Sequence, residues 1–333
     1  MDMNFISIII PAYNEEENVQ LVYEKIKKEF LSLSYDFEVL FINDASTDGT
    51  LQQIKQLSTK TPNVKYISFS RNFGKEAAIF AGLQHVSGRA VIIMDADLQH
   101  PPCLIPDLMK GYEEGYDQVI ARRNRKGDRV FRRLCSATYY KVVNKVVDVE
   151  LKDGVGDFRL LSERAVQAAL ALNEGQRFSK GLFSWIGMEQ KIIDYDNVIR
   201  ENGETKWSFS KLLNYGLDGI LSFNNRPLRA CFHTGAFILM LSVVYSIITF
   251  IKIMENGVDV PGYFTIITAI LLLGGIQLLS LGVIGEYIGR IYYETKKRPT
   301  YLIQETNIMN GVPHEKNRPR IYQIHRNRGN QYL

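Results

Sequence analysis

Short, continuously apolar runs alternate with segments of helical period through the first third of the chain. Phe5 to Ile10, Phe37 to Ile42, Val64 to Phe69 and Ala90 to Met94 are rich in β-branched residues and predict strands. Helices are predicted between them, near Glu15 to Leu31, Thr47 to Ser58 and Gly74 to His85. The alternation implies βαβ units in a largely parallel sheet. Because the strand runs lack an in-out alternation, the sheet should be covered on both faces.

Two much longer apolar stretches lie toward the C-terminus, from about Leu228 to Ile251 and from Tyr263 to Tyr287, with His233 and Glu286 as their ionisable residues. Each exceeds the roughly 20 residues that cross a bilayer core. Arg226 and Arg229 stand at the start of the first, Arg290, Lys296, Lys297 and Arg298 follow the second, and Lys252 is offset by Glu255 and Asp259 between them. Excess positive charge on the flanks orients both toward the cytoplasm. Gly285 and Gly289 have the spacing of a helix-packing face and permit a homo-oligomer.

The composition divides the 333 residues into four parts. Residues 1–207 form a cytoplasmic α/β domain, 208–227 a juxtamembrane amphipathic helix, 228–290 two transmembrane helices (about 228–251 and 263–288), and 291–333 a basic cytoplasmic tail. The expected location is the plasma membrane, with the first domain and both termini cytoplasmic. A net charge of +4 is too modest for a general nucleic-acid binder, but its clusters favour anionic membrane lipid or phosphates. The three cysteines have neither metal-site nor redox-motif spacing and read as reduced packing residues.

Ligands of open α/β sheets bind beyond the carboxyl ends of the strands. The residues there are polar: Tyr13, Asn14 and Glu15 after the first strand, Asn43 and Asp44 after the second, Ser70, Arg71 and Asn72 after the third, Asp95 and Asp97 after the fourth. The first strand leads into PAYNEEEN, so there is no glycine-rich dinucleotide fingerprint; P-loop and nucleophile-elbow strings are missing as well. Asp95 and Asp97 offer hard oxygen ligands suited to Mg²⁺ or Mn²⁺ shared with a diphosphate. A lone DxD triplet is weak evidence, since an Asp here could simply cap the next helix. Asp48 and Ser46 read as turn and capping residues, Asn14 and Glu17 as helix starters, and Glu16 as solvated. A dense basic segment runs from Arg122 to Arg133.

Taken in order, PAYNEEEN, INDASTDGT, SFSRNFGKEAA, DADLQHPP, DGVGDFRLL and GETKWSFSKLL resemble family 2 glycosyltransferases of the GT-A fold. They are most similar to the membrane-bound polyprenyl-phosphate sugar transferases, such as bactoprenol glucosyltransferases and dolichol-phosphate mannose synthases. The resemblance implies a nucleotide-sugar donor lined by Pro11, Tyr13, Glu15 and Asp44, with Asp95, Ala96, Asp97 and Gln99 around the diphosphate and metal. It further implies Arg122, Arg200 and Lys206 on donor phosphates, and Asp157, just before Phe158 and Arg159, as the catalytic carboxylate.

The reaction so implied is inverting transfer of glucose or N-acetylglucosamine from a UDP-sugar to polyprenyl phosphate. A flippase and an outward-facing transferase would then act on the product, decorating a surface glycan or teichoic acid. Three other readings stand beside it: a GDP-mannose transferase, a processive polysaccharide synthase and a non-catalytic scaffold. The QxxRW string of processive enzymes is missing, since Gln176 and Arg177 are adjacent and Trp185 lies well beyond. The set Asp95, Asp97, Arg122, Asp157 and Lys206 is more than a degenerate site needs.

Overall fold

A computed structural model describes residues 4–124, 154–172, 174, 177–196, 226–256 and 262–308. Its strands are β1 (Phe5–Ala12), β2 (Asp36–Asn43), β3 (Val64–Phe69), β4 (Ala90–Ile93), β5 (Gln118–Arg123), β6 (Val155–Ser162), β7 (Gln190–Tyr195) and β8 (Ile303–Thr306). They form one sheet in the order β7-β5-β6-β4-β1-β2-β3-β8. The helices are α1 (Val19–Phe30), α2 (Thr50–Lys60), α3 (Lys75–His85), α4 (Ile105–Glu113), α5 (Glu163–Ala171), α6 (Ser179–Trp185), α7 (Arg226–Asn256) and α8 (Tyr263–Thr295).

Side-chain alternation along β1 explains the two-sided cover. Ile6, Ile8 and Ile10 join a core with Val19, Val22, Tyr23, Ile26 and Phe30 of α1, the positions that one face of a helix presents. Ile9 points the other way, into a core with Leu40, Ile42 and the buried run Ala77 to Leu83 of α3. Helix α3 is apolar nearly all round because it lies between the sheet and α5. Gly88 has to be glycine: an added Cβ would lie 2.6 Å from the Ser7 amide nitrogen and 2.8 Å from the Phe5 carbonyl oxygen.

The sheet is less parallel than the strand-helix alternation implies. Strand β1 pairs in parallel with β2 and β4, as do β2 with β3 and β5 with β7. Strand β6 runs antiparallel to both β4 and β5, and β8 is antiparallel to β3. The reversal at β6 matters for chemistry, because it brings the start of that strand to the rim where β1 to β4 end.

A second difference concerns the boundary at residue 291. Helix α8 continues to Thr295, and the chain then returns to the sheet as edge strand β8. Tyr301 is buried against Phe69, ring centroids 5.1 Å apart, and its hydroxyl donates to Gln84 at 2.6 Å. The Ser70 amide donates to the Leu302 carbonyl at 3.0 Å, and Lys55 pairs with Glu305 at 2.5 Å. The charged tail pattern concealed a short segment whose apolar residues complete the core.

Helices α7 and α8 are 31 and 33 residues long. Judged on the described residues, no helix is long and apolar enough to cross a membrane. Large apolar side chains are nonetheless exposed along both, including Phe237, Met240, Ile248, Ile270, Leu278 and Leu279. An added Cβ at Gly274, Gly275, Gly282, Gly285 or Gly289 meets no described atom within 4 Å.

Candidate active site

Four loops build the rim, and each contains a residue in the left-handed region: Asn14 (φ 55°) after β1, Ala45 (φ 55°) after β2, Gly74 (φ 95°) after β3 and Leu98 (φ 59°) after β4. Non-glycine residues pay a steric cost there, and such conformations gather where surrounding contacts over-determine the backbone at working sites.

The first two loops are stitched together. Asn14 Oδ1 accepts from the Thr47 amide at 2.8 Å, and the Asn14 amide donates to Ser46 Oγ at 3.0 Å. The Glu15 amide donates to Thr50 Oγ1 at 2.8 Å, while Asn18 Nδ2 donates to the Glu15 carboxylate at 2.7 Å. Glu16 is exposed but not merely solvated, since its carboxylate accepts the Gly49 amide at 2.6 Å. Asp48 caps its own turn, accepting the Thr50 amide at 3.0 Å. These bonds delay α1 to Val19 and leave Pro11 half-buried and Tyr13 exposed at the rim.

Asp44 is buried, and its two oxygens accept the Phe73 amide at 2.6 Å and the Gly74 amide at 2.9 Å. It therefore anchors the loop that leads into α3. Burial raises its carboxyl above the usual range, against the pull of those two N–H groups and Arg71.

Asp95, Ala96 and Asp97 follow β4, with Asp97 Oδ1 accepting the Gln99 amide at 3.1 Å. His100 closes this turn: its Nδ1 accepts the Asp95 amide at 2.9 Å, and its ring stacks on Phe158 with centroids 5.0 Å apart. An accepting Nδ1 places the ring proton on Nε2, which lies 3.8 Å from Asp95 Oδ2. Burial lowers the His100 pKa despite the facing carboxylates.

The antiparallel register of β4 and β6 pairs Ile93 with Arg159, so two residues further along Asp95 meets Asp157 across the gap. Between them stands Lys75, the first residue of α3. Its Nζ lies 2.6 Å from Asp95 Oδ1 and 2.7 Å from Asp157 Oδ2. Among the described residues, Asp157 Oδ1 is buried without a hydrogen-bond partner. Burial by itself would raise both carboxyls, but Lys75 outweighs it and holds Asp157 well below the usual range, with Lys180 and Arg159 adding to the effect. Asp95 is lowered in the same way by Lys75 and His100. Burial opposes the ammonium of Lys75, but the two carboxylates hold its pKa above the ordinary lysine value. The Arg159 guanidinium also donates to the Gly156 carbonyl at 2.7 Å.

Arg122, at the end of β5, forms a fork with Asp194 of β7, Nε to Oδ1 at 2.5 Å and Nη2 to Oδ2 at 2.8 Å. Arg122 is half-buried and Asp194 exposed. Arg200, Lys206, most of the basic segment beyond Asn124 and the predicted amphipathic helix lie outside the described residues. The structure thus brings Asp95, Ala96, Asp97, Gln99 and Asp157 to one rim, with Arg122 two strands from β4. It adds Lys75, His100 and Asp194, to which sequence reasoning gave no role. Lys75 and His100 both lie inside quoted strings, SFSRNFGKEAA and DADLQHPP, which was their available signal.

The residues fit a divalent cation shared with a diphosphate. Among the described residues no group of three or more metal-ligating side chains gathers. Mg²⁺ commonly takes one or two protein carboxylates and completes its shell with water and phosphate. Asp95 and Asp97 supply that number of hard donors, and the Lys75 ammonium already stands in a position suited to positive charge.

The chain is similar to known glycosyltransferases. The Glycosyl transferase family 2 profile matches residues 7–170, and the GtrB C-terminal hairpin profile matches residues 226–291. CsbB of Bacillus subtilis (strain 168), which carries a provisional glycosyltransferase name, is 67% identical over 93% of this chain and 94% of its own length. The bactoprenol glucosyl transferase of Shigella phage SfII is 41% identical over 91% of this chain and 98% of its own. An uncharacterised glycosyltransferase of Synechocystis sp., sll0501, is 42% identical over 93% and 98% respectively. The solved structure of mannosyl-3-phosphoglycerate synthase from Rubrobacter xylanophilus aligns with 65% of this chain and 71% of that one, at 15% identity and a TM-score of 0.45.

Proposed function

Since the chain belongs to glycosyl transferase family 2, we propose that it moves one sugar from a nucleotide sugar to the phosphate of a polyprenyl lipid at the cytoplasmic face of the plasma membrane. The observation that carries this reading is Asp157: a buried carboxylate at the rim, one oxygen held by Lys75 and the other without a partner among the described residues, facing the DxD carboxylates across the β4–β6 register. The names of the phage relatives favour a polyprenyl acceptor and a glucosyl donor, and UDP-glucose is the first donor to try, ahead of UDP-N-acetylglucosamine and GDP-mannose.

Mg²⁺ or Mn²⁺ bound at Asp97 and Asp95 would supply positive charge against the leaving diphosphate. Every other part belongs to the chain. Pro11, Tyr13, Glu15 and Asp44 line the nucleoside end, with Asp44 acting through the loop it anchors. Ala96 and Gln99 border the diphosphate, and Arg122, Arg200 and Lys206 serve its charge. A phosphomonoester with its second pKa near 6 is mostly dianionic at neutral pH. The acceptor therefore needs little help from a base, and Asp157 orients it or offsets the positive charge that develops on the sugar ring. Displacement in line at the anomeric carbon inverts it and requires no covalent intermediate.

A lipid acceptor fits the two long helices. From Tyr263 to Gly285 the sequence of α8 carries no charged residue, and the flanking arginines and lysines orient both flanks inward. Residues 1–207 would then be the catalytic domain, 208–227 its membrane-lying connection and the helices a hairpin, whose exposed apolar faces and glycines suit a homo-oligomer. Two crossings leave no path for the product, which implies a flippase and an outward-facing transferase downstream.

The test is purified protein with Mg²⁺, undecaprenyl phosphate and a panel of UDP- and GDP-sugars, reading nucleotide release and lipid-linked sugar by mass spectrometry. One donor should give a lipid product. Asp157→Asn should lower turnover by roughly 10²-fold or more; near-normal turnover would remove Asp157 from the chemistry. Silence across the whole panel would sink the catalytic reading.

A further inference from the structure

Lys75 connects two carboxylates to which the proposed function gives different tasks. Asp95 belongs to the metal and diphosphate, Asp157 to the sugar and acceptor, and they sit on neighbouring antiparallel strands, β4 and β6. No direct bond can join two ionised carboxylates. A cation is required between them, and in the protein alone that cation is the Lys75 ammonium, at 2.6 Å from one and 2.7 Å from the other.

We propose that Lys75 is a resident counter-cation that competes with the divalent metal for Asp95 and yields it when the donor diphosphate arrives, so that metal and nucleotide bind together. The idea rests on the reading of the site given above. Its geometry has three parts. The bridging position satisfies Asp95 with an internal charge, so a metal arriving alone must displace it. The side chain is 39% exposed and stands on a flexible four-carbon stem, so Nζ can leave without disturbing the core. It follows Gly74, where φ is 95° and an added Cβ would meet no described atom within 4 Å, so among the described residues nothing packs against the entry to α3 on that side. A diphosphate brings the negative charge that Lys75 needs once it leaves Asp95. Metal and nucleotide then each raise the other's affinity by the same factor, as linkage demands.

The experiment measures Mn²⁺ binding to the full chain in detergent by electron paramagnetic resonance of the free ion, with and without UDP, independent of turnover. Wild-type protein should bind Mn²⁺ weakly alone and about tenfold or more tightly with UDP, within the usual span of coupling between sites. Lys75→Gln should bind Mn²⁺ about tenfold more tightly than wild type in the absence of UDP, and its further gain on adding UDP should be clearly smaller than that of wild type. Lys75→Met, which keeps most of the stem, is run beside it in case one variant does not fold, and Lys75→Arg should restore the weak binding of wild type. Unchanged Mn²⁺ affinity in a folded Lys75→Gln or Lys75→Met protein overturns the proposal while leaving the enzymatic reading intact. Failure of wild type to bind Mn²⁺ even with UDP overturns the metal assignment, and this proposal with it.

Discussion

At the residue scale, Gly154 determines how β6 enters the site. Its φ is 78°, and an added Cβ would lie 2.5 Å from the Arg123 carbonyl oxygen, a backbone atom that cannot swing aside. The Arg123 amide donates to the Gly154 carbonyl at 3.0 Å, locking this turn to the end of β5 three residues before Asp157. Gly154→Ala therefore adds a left-handed cost of about 1–2 kcal/mol to a backbone clash. The variant should melt several degrees lower and lose turnover, because Arg122 and Asp157 sit on the two strands forced apart. A wild-type melting curve would show that the turn relaxes freely. This position also marks what could be read from sequence. Asp157 stood out because glycines and a Phe-Arg pair flank it in a string with a known pattern. Lys75 did not, since a lysine opening a helix reads as solvated and its two partners, Asp95 and Asp157, both lie well downstream in the chain. Only the reversal of β6 brings them together.

At the element scale, the apolar runs located β1 to β4 within two residues, because a strand buried on both faces leaves an unbroken hydrophobic signal. They could not reveal Glu38, a charge inside one of those strands. It is 1% exposed and accepts from Ser7 Oγ at 2.5 Å, the Ser87 amide at 2.8 Å and Lys65 Nζ at 2.5 Å. This network ties β1, β2 and β3 to the turn before β4 at the end of the sheet away from the catalytic rim. Glu38→Ala would leave those donors unmatched and should cost about 3 kcal/mol, the low end for a broken buried pair because water reaches Lys65. The folded fraction should keep the wild-type turnover per molecule, measured by active-site titration, since nothing at the rim is touched. A selective loss of turnover at full stability would contradict that separation. Strand β8 escaped prediction for the opposite reason: four residues in a charged context carry too little period to register.

Tyr301 gives that strand a pH signature. Burial lifts its phenol well above the ordinary value. A group whose folded pKa is raised contributes fully below the unfolded value, about 10 for tyrosine, and loses that contribution as the pH climbs toward the folded value. Above about pH 10 the melting temperature of the wild type should therefore fall more steeply than that of Tyr301→Phe. At pH 7 the variant should be weaker by about 1 kcal/mol, the net worth of the hydrogen bond to Gln84. Parallel slopes in scanning fluorimetry would mean that the phenol reaches water without opening the strand.

For the whole molecule, the return of β8 to the sheet constrains topology more tightly than hydropathy does. The chain leaves the catalytic domain before α7 and rejoins it at β8, with seven residues, 296–302, between α8 and that strand. Seven extended residues reach about 25 Å at most, less than a bilayer with its headgroups. Whatever passes through the membrane between residues 226 and 295 must come back to the side on which it started, so the number of crossings is even, as the proposed hairpin requires. In the topology proposed above that side is the cytoplasm, as the charged flanks favour. Cys103 is exposed on the catalytic domain. With Cys135→Ser and Cys231→Ser in place, a membrane-impermeant maleimide should leave Cys103 unmodified in intact cells and label it in inverted vesicles. Adding Asp259→Cys in the connection between α7 and α8 should reverse the pattern, with labelling from outside the cell. Labelling of Cys103 in intact cells would place the domain outside, away from cytoplasmic nucleotide sugars, and the proposed reaction would fail with the topology.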